Sequence, residues 1–120
     1  MTVFIVEDDR VLSLILSRMI EKMNYNVIGS ATTGSDSIQK IKELRPDLIM
    51  MDISLKDDID GITVTQNIKQ VYSPAIIYVT GNSDSKNRNR AKEFGYHEYL
   101  IKPISFEQLQ SSFNSLEISN

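Results

Sequence analysis

Side chains able to do polar chemistry follow directly on short apolar runs at four places in this 120-residue chain. FIV (4–6) leads into Glu7, Asp8 and Asp9; LIMM (48–51) into Asp52; IIYV (76–79) into Thr80; and EYLI (98–101) into Lys102 and Pro103. Taken singly, each has an ordinary use: acids cap helices, threonine ends strands and lysine is solvated. Their shared position is more informative, because chance placement would scatter them over both ends of the apolar runs. Carboxylates brought within several ångströms repel by about 4 kcal/mol per close pair at an effective dielectric near 20, so a cluster of them calls for a cation or a proton. With no cysteine, and with His97 as the one histidine, the available ligands are oxygens, which suit a hard cation such as Mg²⁺ and make zinc a poor candidate. Such a cation and the Lys102 ammonium would offset the charge of an incoming phosphoryl group, and the Thr80 hydroxyl could donate to one of its oxygens. Asp52, alone at its apolar run, could act as the nucleophile and form an acyl phosphate.

To bring these residues together the apolar runs must be neighbouring strands. Val3 to Val6, Asn26 to Ala31, Leu48 to Met51, Ile76 to Val79 and Glu98 to Ile101 read as five strands, mostly continuous in apolar character as in a sheet buried on both faces. Segments of helix length separate them. The first has Leu12, Ile15, Leu16, Met19 and Met23 at one-face helical spacing, which predicts a buried stripe with Ser13, Ser17, Glu21 and Lys22 towards water. Further helices are predicted over Ser35 to Leu44, stopped before Pro46; Gly61 to Val71; Ser83 to Phe94, closed by Gly95; and Phe106 to Leu116, with Ser105 and Gln108 as a capping box. Strands alternating with helices give a doubly wound α/β fold, a parallel sheet with helices on both faces, and in such sheets sites form outside the carboxyl ends of the strands.

Composition narrows the function. The length suits one compact domain, and 41% hydrophobic with 24% charged residues is ordinary for a globular protein. A net charge of -3 argues against direct nucleic-acid binding, and the basic cluster KNRNR (86–90) reads as a solvated helix face. No signal peptide or bilayer-length apolar run is visible, so no membrane partner is expected and a cytoplasmic location is the default.

The acids, Thr80, Lys102-Pro103 and the five-strand pattern together closely resemble the receiver domain of bacterial two-component response regulators, of the chemotaxis-receiver-like kind, over nearly the whole chain. The resemblance implies a single receiver domain over 1–120 with a five-stranded sheet in the flavodoxin-like order 2-1-3-4-5. It implies Glu7 and Asp8 as the acidic pair, Asp52 as phosphoacceptor, and Thr80 and Lys102 as the other catalytic groups. By the family's pattern Mg²⁺ is the cofactor, contacted by Asp8, Asp52 and the backbone carbonyl of Ser54, with Glu7 acting mostly through water. Thr80 and Tyr99 would form the switch, Tyr99 turning from exposed to buried, and Ser54 and Asn82 would tune the lifetime of the phosphoryl group. Lys102-Pro103 is expected to be cis. Asp9 falls one place beyond the acidic pair and reads as an acid at the N-terminus of the first helix.

The implied function is a phosphorylation-activated signalling switch. A histidine kinase or histidine phosphotransfer protein donates to Asp52, and the domain catalyses its own phosphorylation and dephosphorylation without being a conventional enzyme. A downstream protein target or fused output domain, and a phosphorylation-dependent homodimer, complete the implied partners; the chain would be a stand-alone receiver or a piece of a longer regulator or hybrid kinase. The readout surface would be the fourth helix, fifth strand and fifth helix, with Lys86, Arg88 and Tyr99 on or near it. The alternative is a receiver-like interaction module that is not phosphorylated. A flavin or nucleotide binder on the same layered fold lacks support, since neither G-x-G-x-x-G nor G-x-x-x-x-G-K-[ST] occurs.

Two features depart from the family pattern. DISLKDDIDG (52–61) is one residue longer than usual and lacks Pro-Gly; its Asp57 and Asp58 could add negative potential to the site but read more readily as solvated turn acids. The fourth helix offers mainly Ala91 and Phe94 to a core, which predicts an element that is mobile or completed by a partner.

Overall fold

The computed structural model describes residues 1–81 and 85–119. Five strands, β1 (Thr2–Val6), β2 (Asn26–Ala31), β3 (Leu48–Met51), β4 (Ala75–Thr80) and β5 (Glu98–Ile101), alternate with α1 (Arg10–Lys22), α2 (Gly34–Leu44), α3 (Gly61–Lys69), α4 (Ser85–Phe94) and α5 (Phe106–Ser119). All neighbours in the sheet pair in parallel, in the order β2-β1-β3-β4-β5. This is the doubly wound sheet expected from the strand and helix pattern, in the flavodoxin-like order that the resemblance implies. The chain leaves β1 towards one edge and β3 towards the other, so a crevice opens beyond the carboxyl ends of those two strands.

Alternation along each strand splits the apolar residues between two cores. Phe4, Val6, Ile49, Met51 and Tyr78 face Ile41 of α2, Ile62, Val64 and Ile68 of α3, and Ala91 of α4. Val3, Ile5, Leu48, Met50, Ile77 and Val79 face Leu16 and Ile20 of α1 and Leu109, Phe113 and Leu116 of α5. The central strand β3 is buried at all four residues, which explains its unbroken apolar run.

The helix ends follow local chemistry. Asp9 caps α1, its Oδ1 accepting from the N–H groups of Val11 and Leu12 at 3.0 and 3.1 Å. Thr33 and Asp60 cap α2 and α3. Ser105 and Gln108 form the capping box reciprocally: the Ser105 N–H donates to Gln108 Oε1 at 2.9 Å and the Gln108 N–H to Ser105 Oγ at 3.1 Å. The Lys102-Pro103 bond is cis.

Two expectations are corrected. The buried face of α1 is Leu12, Leu16, Met19, Ile20 and Met23, with Ile20 fully enclosed and Ile15 left 46% exposed. Helical rotation places Ile15 on the flank of that stripe, beside Val11 and Leu14, which are 69% and 55% exposed; Ser13 and Ser17 are in turn only partly exposed. Asp57 is not a solvated turn acid. Both its carboxylate oxygens are bound by the first turn of α2, because unpaired N–H groups there attract an anion. Asp58 is exposed, as expected.

Candidate functional site

Backbone pairing continues one residue past the strand ends and sets the site residues in register. The Glu7 N–H donates to Ala31 O at 3.0 Å, the Asp52 N–H to Val6 O at 2.9 Å, and the Lys102 N–H to Thr80 O at 2.9 Å. Glu7, Asp52 and Lys102 are thereby fixed from the main chain before their side chains interact. Glu7 and Asp52 are 2% and 5% exposed and Thr80 1%, while Asp8 is half-exposed at the rim.

The Lys102 ammonium joins the two buried acids, 2.8 Å from Glu7 Oε1 and 3.0 Å from Asp52 Oδ2. Glu7 Oε2 accepts from the Asp9 N–H at 3.1 Å, so the residue that caps α1 also holds the acidic pair. Burial pushes the Glu7 carboxyl up to about 7; contacts with Lys102 and the Asp9 N–H act the other way, and the Asp52 charge adds to the rise. For Lys102 burial would lower the pKa, yet hydrogen bonds to Glu7 and Asp52 outweigh it and the ammonium is held above its usual range. The pair differs because Lys102 is a quarter exposed and touches two carboxylates, whereas Glu7 is enclosed and shares its one cation with Asp52.

Glu7, Asp8 and Asp52 each offer a carboxylate oxygen within 4.8 Å of the others. Glu7 Oε1 is buried and meets the Lys102 ammonium at 2.8 Å off the ideal hydrogen-bond direction. A buried acceptor with unused capacity, in a cluster with oxygen ligands and neither imidazole nor thiolate, fits a small hard divalent cation. Ser54 follows Asp52 by two residues and its side chain is exposed. Asn82 lies outside the described residues.

Thr80 and Tyr99 are placed by the outer half of the sheet. Tyr99 is opposite Tyr78 in the β4·β5 register, and Thr80 is opposite Ile101. Tyr99 is buried, its ring 5.7 Å from both Tyr78 and Tyr96, with the Arg88 guanidinium 4.6 Å above it. Lys86 is exposed on the same helix as Arg88.

Sequence reasoning missed three neighbours of the site. Arg90 of α4 pairs with Asp60, the cap of α3, at 2.9 Å, a long-range pairing that no local pattern announces. Asp57 ties the loop after Asp52 to α2. The exposed apolar flank of Val11, Leu14 and Ile15 begins in the first turns of α1, the helix that follows Glu7 and Asp8 in the chain. Its signal was present, since α1 carries more apolar residues than one face can bury.

Comparison with known proteins agrees with this geometry. Residues 3–114 match the family model of the response regulator receiver domain. A protein of Halalkalibacterium halodurans named a probable C4-dicarboxylate response regulator DctR is 32% identical over 96% of this chain and 50% of its own length. The response regulator ArlR of Staphylococcus aureus is 30% identical over 95% of this chain and 51% of its own. The chain thus spans about half the length of the curated relatives it matches. Among solved structures, the receiver domain of a modulated diguanylate cyclase from Desulfovibrio desulfuricans superposes with a TM-score of 0.87 at 30% identity, covering 95% of this chain and 90% of that one. The regulatory domain of mrkE from Klebsiella pneumoniae gives 0.89 at 26% identity, covering 99% and 97%. With its sheet order, its acidic strand ends and a family match over nearly its whole length, the chain belongs to the receiver domains of response regulators.

Proposed function

We propose that residues 1–120 act as a single receiver domain that is switched by a phosphoryl group carried on Asp52. The supporting observation is the meeting of buried Asp52 with Glu7, Asp8 and the Lys102 ammonium at one sheet edge. An Asp52 oxygen attacks the phosphorus of a phosphohistidine on a histidine kinase or phosphotransfer protein; the O–P bond forms, the N–P bond breaks, and the imidazole leaves and takes up a proton. Asp8, Asp52, the Ser54 carbonyl and, through water, Glu7 would hold Mg²⁺, which supplies positive charge to the phosphoryl oxygens during transfer. Lys102 contacts one of those oxygens in exchange for part of its present pairing, and the Thr80 hydroxyl donates to another. Hydrolysis returns the free carboxylate, at a rate that Ser54 and Asn82 tune.

The output follows from differential contact. Drawing Thr80 towards the phosphoryl group favours the arrangement with Tyr99 inward, and the surface of α4, β5 and α5 passes that preference to a downstream protein, an output domain or a second copy of the chain. A shift from 1:99 to 99:1 would demand about 5.5 kcal/mol of differential contact, and partial switching needs less. On the input side, Val11, Leu14 and Ile15 provide an exposed apolar stripe on α1, the helix that follows Glu7 and Asp8 in the chain, suited to a helix of the phosphodonor.

The test is incubation with acetyl phosphate and Mg²⁺ followed by mass spectrometry. One added phosphoryl group on wild type, none on Asp52→Asn and none without Mg²⁺ is the expected result. Unlabelled wild type would replace this reading with that of a non-phosphorylated interaction module.

A further inference from the structure

The loop that follows Asp52 returns to its own starting point. The Gly61 N–H donates to Ile53 O at 2.8 Å, and a Cβ on Gly61 would lie 2.1 Å from Asp52 O, so only glycine lets α3 begin against that carbonyl. Between these ends the loop exposes Ser54 and packs Leu55 and Ile59 on the core edge. It contains no proline to stiffen it. Its tip is instead fastened across 22 and 23 residues of sequence: Asp57 Oδ1 accepts from the Gly34 N–H at 2.8 Å, and Oδ2 accepts from the Ser35 N–H and Oγ, both at 3.0 Å. Gly34 fits closely beneath the same loop, since a Cβ there would lie 2.5 Å from Ile59 O. A further cross-link among the described residues, from the Lys56 N–H to Thr32 O, is 3.5 Å long and too weak to hold the tip alone.

We infer that Asp57 is a positioning residue for the candidate cation site: by anchoring the loop tip to the first turn of α2 it holds the Ser54 backbone in place before a cation binds. This rests on the receiver reading above. Both oxygens of Asp57 are engaged by α2, so it acts through the loop and not as a ligand. Hydrogen bonds from Ser35 and Gly34 keep its carboxyl below the usual carboxylate range, which is consistent with a persistent tether. An untethered loop would have to be ordered as the cation binds, and outer partners of a metal ligand typically act on affinity for that reason.

The experiment is calorimetric Mg²⁺ titration of wild type, Asp57→Ala, Ser35→Ala and the double variant, with amide hydrogen exchange on the metal-free proteins. Asp57→Ala should weaken Mg²⁺ binding about tenfold and speed exchange at Gly34 and Ser35. Ser35→Ala, which alters no charge, should weaken binding about threefold, and the double variant should be no weaker than Asp57→Ala. Acetyl phosphate labelling at saturating Mg²⁺ should stay within about twofold of wild type, because positioning, not chemistry, is lost. Wild-type affinity in Asp57→Ala despite faster amide exchange would overturn the inference; so would wild-type affinity in Ser35→Ala, which would reduce Asp57 to a distant charge. If wild type binds Mg²⁺ and is labelled while the variants are unchanged, this inference alone fails. If wild type does neither, the receiver reading itself fails.

Discussion

Lys102 Nζ lies 3.0 Å from Asp52 Oδ2, with a second buried carboxylate, Glu7, on its other side at 2.8 Å. The ammonium therefore has opposite effects on the two reagents the site is proposed to meet. It repels a divalent cation and attracts a phosphoryl group. Lys102→Ala should accordingly bind Mg²⁺ more tightly than wild type, by calorimetry, yet accept phosphoryl from acetyl phosphate on the order of 10²-fold more slowly at saturating Mg²⁺, by single-turnover labelling. A variant weakened in both would mean that Lys102 only supports the fold.

Glu7 gives a pH dependence with a definite sign. Its folded-state value of about 7 lies above the ordinary 4.5, so the metal-free native state holds a proton that the unfolded chain has released. The resulting stability is fully present below about pH 4.5 and is lost as pH rises through about 7. Mg²⁺ must compete with that proton. Affinity should be about tenfold weaker at about pH 6 than on its plateau well above 7, and Glu7→Gln should remove this slope. Calorimetry across that range checks both points.

The legibility of this domain in its sequence follows the range of the interactions concerned. Strand ends and caps are local, and Asp9, Ser105 and Gln108 do in the structure what their spacing implies. The continuous apolar run of Leu48–Met51 is enough to indicate a strand covered on both faces. Ile15 was misplaced because three-to-four spacing fits two overlapping stripes on α1, and only the width of the sheet beneath decides between them. Asp57 and Arg90 were missed for another reason: their partners lie 22 to 30 residues away. A charged side chain in a loop carries no local mark of the helix end it will meet.

The polar character of α4 can be tested through Arg90. Ala91 is the one fully buried residue among those described in this helix; other ties include Phe94 at the core edge, Arg88 over the Tyr99 ring, Arg90 to Asp60 at 2.9 Å and Lys69 Nζ to Gly95 O at 3.0 Å. Asp60 also caps α3 through the Thr63 N–H at 2.8 Å. Asp60→Ala should cost about 1–2 kcal/mol, mostly from the lost cap, and Arg90→Ala about 0.2–1 kcal/mol, as befits a partly exposed ion pair. A denaturation double-mutant cycle should recover the smaller figure as coupling. Hydrogen exchange in α4 should be faster than in β3 and faster again in Arg90→Ala; exchange as slow as in β3 would contradict a weakly held helix.

Val11, Leu14 and Ile15 separate recognition from chemistry. They are exposed apolar residues in the first turns of α1, the helix that follows the acidic residues in the chain, and the ion pairs of the site are made by Glu7, Asp52 and Lys102 instead. A small phosphodonor needs no protein surface, whereas a phosphohistidine on a helical partner must bring its own helix against α1. Leu14→Glu places a charge in that stripe without altering the buried face of Leu16 and Ile20. Phosphotransfer from the cognate phosphohistidine protein should then slow by about tenfold or more, equivalent to about 1.4 kcal/mol of lost docking, while labelling by acetyl phosphate remains at the wild-type rate. Equal slowing with both donors would place the stripe within the reaction machinery, and no slowing with either would remove α1 from the docking surface.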